Sequence, residues 1–179
     1  MISEFSVHAK PRNKNSSIAF VVLLLVSMLG FCAYFLMDSY KGVVGVFALM
    51  ILTLAILVYT KFIAPAFYYD IAIDSEGIPM FVVRQIVGKR QTTLCRLDLA
   101  DIVSIEYETK KQRVEHKTAR GVRKYIYAPT MFPAEVYRIT AKNRYETAEI
   151  IIEGNEIFAD TLKSYAEEAR SLRAEDEAE

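Results

Sequence analysis

The chain has 179 residues, with 22 Lys+Arg against 22 Asp+Glu, and 53% of it is hydrophobic. A formal charge of zero argues against a nucleic-acid-binding protein, which needs a surplus of cations to neutralise phosphates. Two cysteines and two histidines, with no CxxC or HExxH spacing, supply neither a disulfide framework nor a zinc site.

Residues 1–17 form a basic N-terminal segment in which Lys10, Arg12 and Lys14 outweigh Glu4. Two charge-free apolar runs follow, 18–37 and 42–60, parted only by Asp38-Ser39-Tyr40-Lys41. At about 1.5 Å per residue, each run reaches across a hydrocarbon layer roughly 30 Å thick. The first holds twelve Leu, Ile, Val or Phe residues and the second eleven. Insertion of such a run is favoured by about 4 to 7 kcal/mol at most. Neither carries a polar stripe at helical period, so a buried hairpin in a soluble core is disfavoured. The first run is too long for a cleaved signal peptide and has no small-residue cleavage site. Phe31 before Cys32 does not fit a lipid-modification signal. A two-helix transmembrane hairpin is therefore expected over 18–64. Lys10, Arg12, Lys14 and Lys61 flank its outer ends, which predicts a two-span membrane protein with both termini in the cytoplasm. Cys32 and Cys95 then sit in a reducing phase, unpaired.

Period-two alternation dominates the next stretch and predicts strands over 70–74, 78–87, 91–97, 102–108, 125–128, 135–140 and 147–153. Turns fall at Ser75-Glu76-Gly77, Gly88-Lys89-Arg90 and 141–146, where Asn143 is the candidate for positive φ. In Leu97-Asp98-Leu99-Ala100-Asp101-Ile102, the carboxylates read as a capped turn before a strand. Residues 109–124 break the rhythm with seven basic residues and Gly121, and are expected to be a loop or a long hairpin tip. Pro129-Thr130-Met131-Phe132-Pro133 is a rigid apolar connection, either packed beneath the sheets or a docking tip. The period then changes. Phe158, Leu162, Tyr165, Ala169 and Leu172 form one stripe of a helix, with Asn155 as its N-cap. Residues 174–179 are an acidic tail.

The "Ile-Asp-Ser-Glu-Gly-Ile" turn, the "Leu-Asp-Leu-Ala-Asp-Ile-Val-Ser-Ile" stretch and the final hairpin leading into "Ile-Phe-Ala-Asp-Thr-Leu" carry a resemblance. The chain resembles small bacterial membrane proteins in which a transmembrane hairpin precedes a bacterial PH-like domain. The resemblance implies a membrane α-hairpin plus an α+β domain over 67–173. That domain would be a PH-like small antiparallel β-barrel or sandwich of about seven strands, closed by a C-terminal capping helix.

No catalytic signature occurs: GxSxG, GxGxxG and the P-loop are all missing, and neither enzyme activity nor a cofactor is expected. The expected function is a membrane-tethered cytoplasmic binding or scaffolding module, for a protein partner or for self-association. The alternative is an electrostatic sensor of an anionic membrane surface. Its candidate contacts are Lys110, Lys111, Arg113, Lys117, Arg120, Arg123 and Lys124, each worth about 1 kcal/mol near anionic lipid. Expected partners are the bilayer itself, its anionic headgroups and an unidentified protein or second copy, but not nucleic acid.

Overall fold

The first strand of the domain lies before the hairpin. A computed structural model describes residues 2–9, 14–37, 40–75, 77–115, 121–143 and 146–176. Its opening element is β1 (Ile2–Ala9), where Phe5, Val7 and Ala9 turn inward between Ser6 and His8. β1 pairs antiparallel with β2 (Pro65–Ile73), Val7 opposite Tyr69 and Ala9 opposite Phe67. Between the two strands run α1 (Lys14–Leu36) and α2 (Lys41–Val58). Both helices are long and apolar enough to cross a membrane. They hide almost none of that apolar surface: Leu29, Phe35, Leu36 and Phe47 are all exposed. Because β1 and β2 share backbone hydrogen bonds, the two outer ends of the hairpin lead into one sheet.

The two helices approach closely through small residues. Ser27 Oγ donates to Ala48 O at 3.0 Å, and a Cβ added at Gly30 would stand 3.0 Å from that of Ala48. Such contacts let apolar helices pack without a hydrophobic drive between them. A π-helical turn, Tyr59–Ile63, ends α2, with Ala64 N donating to Tyr59 O at 2.9 Å. One residue later the chain is β2.

Among the described residues, eight strands form two open sheets. The first is a meander, β1-β2-β3-β4, with β3 (Pro79–Val87) and β4 (Arg90–Asp98). The second contains β5 (Ile102–Thr109), β6 (Arg123–Tyr127), β7 (Glu135–Lys142) and β8 (Thr147–Ile152), in the order β5-β7-β8-β6. Of the expected barrel or sandwich, a closed barrel is not formed, for two reasons. β6 runs parallel to β8 as an edge strand, and β4 bonds only to β3. Seven of the strands lie where alternation puts them, and β1 is the eighth. Residues 109–124 are not wholly a loop, since α3 (Lys110–Glu115) starts there, with Gln112 Oε1 accepting from Thr109 N at 2.9 Å. Asn143 does not take a positive φ; its Oδ1 accepts from Glu146 N at 2.8 Å and closes the turn from the side chain.

α4 (Glu156–Asp176) packs between the inner faces of both sheets. Asn155 caps it as expected, Oδ1 accepting from Phe158 N at 2.8 Å. Phe158, Leu162 and Ala169 of the expected stripe are buried and Tyr165 packs against the core, but Ala166 joins them and Leu172 is left 55% exposed. The next inward position belongs to Arg173, which pairs with Asp98 and Asp101. Asp98 also accepts from Ala100 N at 2.9 Å, so the capped turn is also the anchor of the helix C-terminus. Tyr69 ties the sheets together. Its hydroxyl donates to Tyr127 O at 2.6 Å and accepts from Glu153 N at 3.3 Å, and burial drives its pKa far upward.

Candidate functional site

The loop from β6 to β7 is pinned at both ends. Pro129 and Pro133 are buried, and each fixes its own φ. Between them Phe132 is pushed outward, 62% exposed, so this connection is a tip and not packing beneath the sheets. Arg113 holds the loop from α3, donating Nη2 to Pro133 O at 3.1 Å, and Lys110 N donates to Ala134 O at 3.0 Å.

Phe132 stands at the lip of a cleft of about 580 Å³, lined among others by Val7, His8, Ala9, Pro133 and Glu153. That volume falls in the range of ordinary ligand pockets. One wall is the C-terminal end of β1, formed by Val7, His8 and Ala9. His8 is stacked on Tyr68 with ring centroids 4.4 Å apart. Thr130 N donates to Glu153 Oε2 at 3.1 Å, while Thr130 Oγ1 is buried with no hydrogen-bond partner among the described residues. Burial raises the pKa of Glu153; the bond from Thr130 and the charge of Arg113 act against that rise.

The Glu153 shift carries a prediction. The folded state binds the Glu153 proton more tightly than the unfolded chain does, so stability from this group falls as pH rises from the ordinary carboxylate range through the raised value. Glu153→Gln keeps an acceptor for Thr130 N and cannot ionise. The variant should melt higher than the parent at neutral pH and converge with it in acid. Equal melting temperatures across the whole pH series would show that Glu153 is not desolvated.

The basic candidates among the described residues fall into two groups. Lys110 and Lys111 are exposed on α3 beside the cleft, whereas Arg113 is turned to the Pro133 carbonyl. Arg123 pairs with Glu146 at 3.2 Å, and Lys124 is exposed next to it. Register separates the two groups. Thr109 faces Glu135, but Lys124 aligns with Glu149 and so with Thr140, five residues further along β7. At about 3.3 Å per residue that is roughly 17 Å. Lys117 and Arg120 lie outside the described residues.

Sequence reasoning missed a buried ionic group. Arg138 is 1% exposed, on the face of β7 opposite α4. It holds Glu108 through Nε and Nη2, at 2.7 and 2.8 Å, and Glu149 through Nη1. Three adjacent strands are thereby clamped by one guanidinium. The only signal in the sequence is a set of charges alternating with core residues, which reads as a solvated face.

No family model, curated protein or solved structure matches this chain.

Proposed function

We propose that this chain is a non-catalytic, membrane-tethered binding module with a PH-like domain at the cytoplasmic face, which receives a protein partner or a second copy at the cleft beside Phe132. The observation that carries the reading is the exposed ring itself. A large aromatic side chain held out by two buried prolines, at the mouth of a preformed cleft, is the kind of anchor on which interfaces concentrate their energy. The hairpin supports the location. Its exposed apolar surface suits lipid and would be costly in water. The β1–β2 pairing returns the chain to its starting side, and the basic residues outside the spans favour the cytoplasm.

A photo-cross-linking residue in place of Phe132, in the full chain in native membranes, tests this. The expected result is a discrete protein adduct, either of twice the chain mass or with one other polypeptide, that is not formed from the same probe at Leu172. Adducts with lipid alone, or equal yields from both positions, would overturn the cleft as the partner site. Exposed Lys110 and Lys111 at the same corner favour a second reading, electrostatic contact of segment 109–124 with an anionic surface.

A further inference from the structure

The end of the first sheet nearest the hairpin is basic, and its other end is acidic. Pro65, the first residue of β2, follows the π-helical turn after a single residue, Ala64. Pro65 is in register with Val87, and Val87 with Arg90. Neighbouring strands lie about 4.8 Å apart, so the β3–β4 turn sits within roughly 10 Å of Pro65 however the sheet is tilted. That is about one Debye length at physiological salt. Gly88 takes φ +61° and makes the turn tight. Lys89 and Arg90 are exposed at its tip, with no ion pair among the described residues, and Val87 beside them is 45% exposed. Lys61, also exposed, stands in the π-helical turn itself.

The far end carries Asp74 after β2, and Asp98 at the end of β4, in register with Met80 and paired with Arg173. Eight residue steps along β2 separate the two ends by about 26 Å, several times the screening distance. A surface below Pro65 therefore meets the cations and is screened from the carboxylates.

We propose that the β3–β4 turn is a membrane contact: Lys89 and Arg90, together with Lys61, engage anionic lipid headgroups of the bilayer from which the hairpin emerges, and Val87 dips among them. This rests on the reading that the hairpin spans a membrane. It does not depend on segment 109–124 or on which face of the cell the domain occupies. The two strand connections to the hairpin, through β1 and through β2, limit rotation, and the turn supplies a third point of contact. Three points fix a plane, so the contact would hold the Phe132 cleft at a set angle to the bilayer.

The test uses the full chain in nanodiscs, whose two leaflets are alike. An environment-sensitive probe is attached at Val87→Cys in a Cys32→Ala, Cys95→Ala background and quenched by nitroxide-bearing headgroups. Quenching should be stronger in phosphatidylcholine–phosphatidylserine discs than in phosphatidylcholine alone, and the excess should vanish in high salt. Lys89→Glu with Arg90→Glu should lower the docked-to-free ratio by roughly 30-fold or more, the equivalent of about 1 kcal/mol for each cation lost. A probe at Ser75 should remain unquenched throughout. Equal quenching at Val87 in both lipids, or equal quenching at Ser75, would overturn the contact. Loss of the excess on changing Lys110, Lys111 and Lys124 to Gln, with Lys89 and Arg90 intact, would assign the contact to segment 109–124 and overturn this inference alone.

Discussion

Arg138→Met is expected to cost about 3–5 kcal/mol of domain stability, which for a domain worth about 5–15 kcal/mol decides whether it stays folded. Arg138 lies between the carboxylates of Glu108 and Glu149 and pairs with both, all three buried. Removing it takes the shared guanidinium from two buried carboxylates, on three strands that it had joined. The loss comes from the stranded charges more than from the pair itself. Replacing all three residues by apolar ones of similar size should therefore recover most of the stability. Thermal unfolding of the full chain in detergent measures both variants. Parent-like melting of Arg138→Met would show that water reaches these carboxylates.

Phe158→Ala should cost about 3–5 kcal/mol, the range for removing a buried ring whose cavity cannot collapse. The ring is fully buried where α4 meets the first sheet, with centroids 5.9 Å from Phe5, 6.2 Å from Tyr69 and 6.3 Å from Phe81. Phe5 belongs to β1, an edge strand tied to the rest of the sheet only through β2. Loosening should therefore appear first as faster amide hydrogen exchange in β1, with β3 affected later. If β1 exchanges at the parent's rate while the domain melts early, α4 supports the core without holding the N-terminal strand.

The elements visible in the sequence are those set by local period. Tyr107 alternating with Glu106 and Glu108, or Asn155 preceding Phe158 and Leu162, announces its element within a few residues. β1 has the same alternation in Phe5, Val7 and Ala9, but Lys10, Arg12 and Lys14 beside it read as a membrane flank. Its nearest partner, Phe67 opposite Ala9, is 58 residues further on, beyond the whole hairpin, and pairing at that distance has no local signature. The Arg138 group was hidden for the opposite reason: the pattern showed its charges but not that the central strands β7 and β8 bury residues on both faces. At the candidate site, the prolines around Phe132 were legible as a rigid connection. That the ring points outward depends on Arg113 and Lys110 holding the loop from α3, a helix of six residues inside a segment whose charge suggested a loop.

The central claim is that β1 and the domain share one side of a membrane crossed by α1 and α2, and that this side is the cytoplasm. Single cysteines at Ser6, Ser39 and Glu179, in the background lacking Cys32 and Cys95, can be treated in intact cells with a membrane-impermeant maleimide. The account predicts labelling of Ser39→Cys alone, with Ser6→Cys and Glu179→Cys reacting only after the cells are opened. Labelling of Ser6→Cys or Glu179→Cys in intact cells would contradict it.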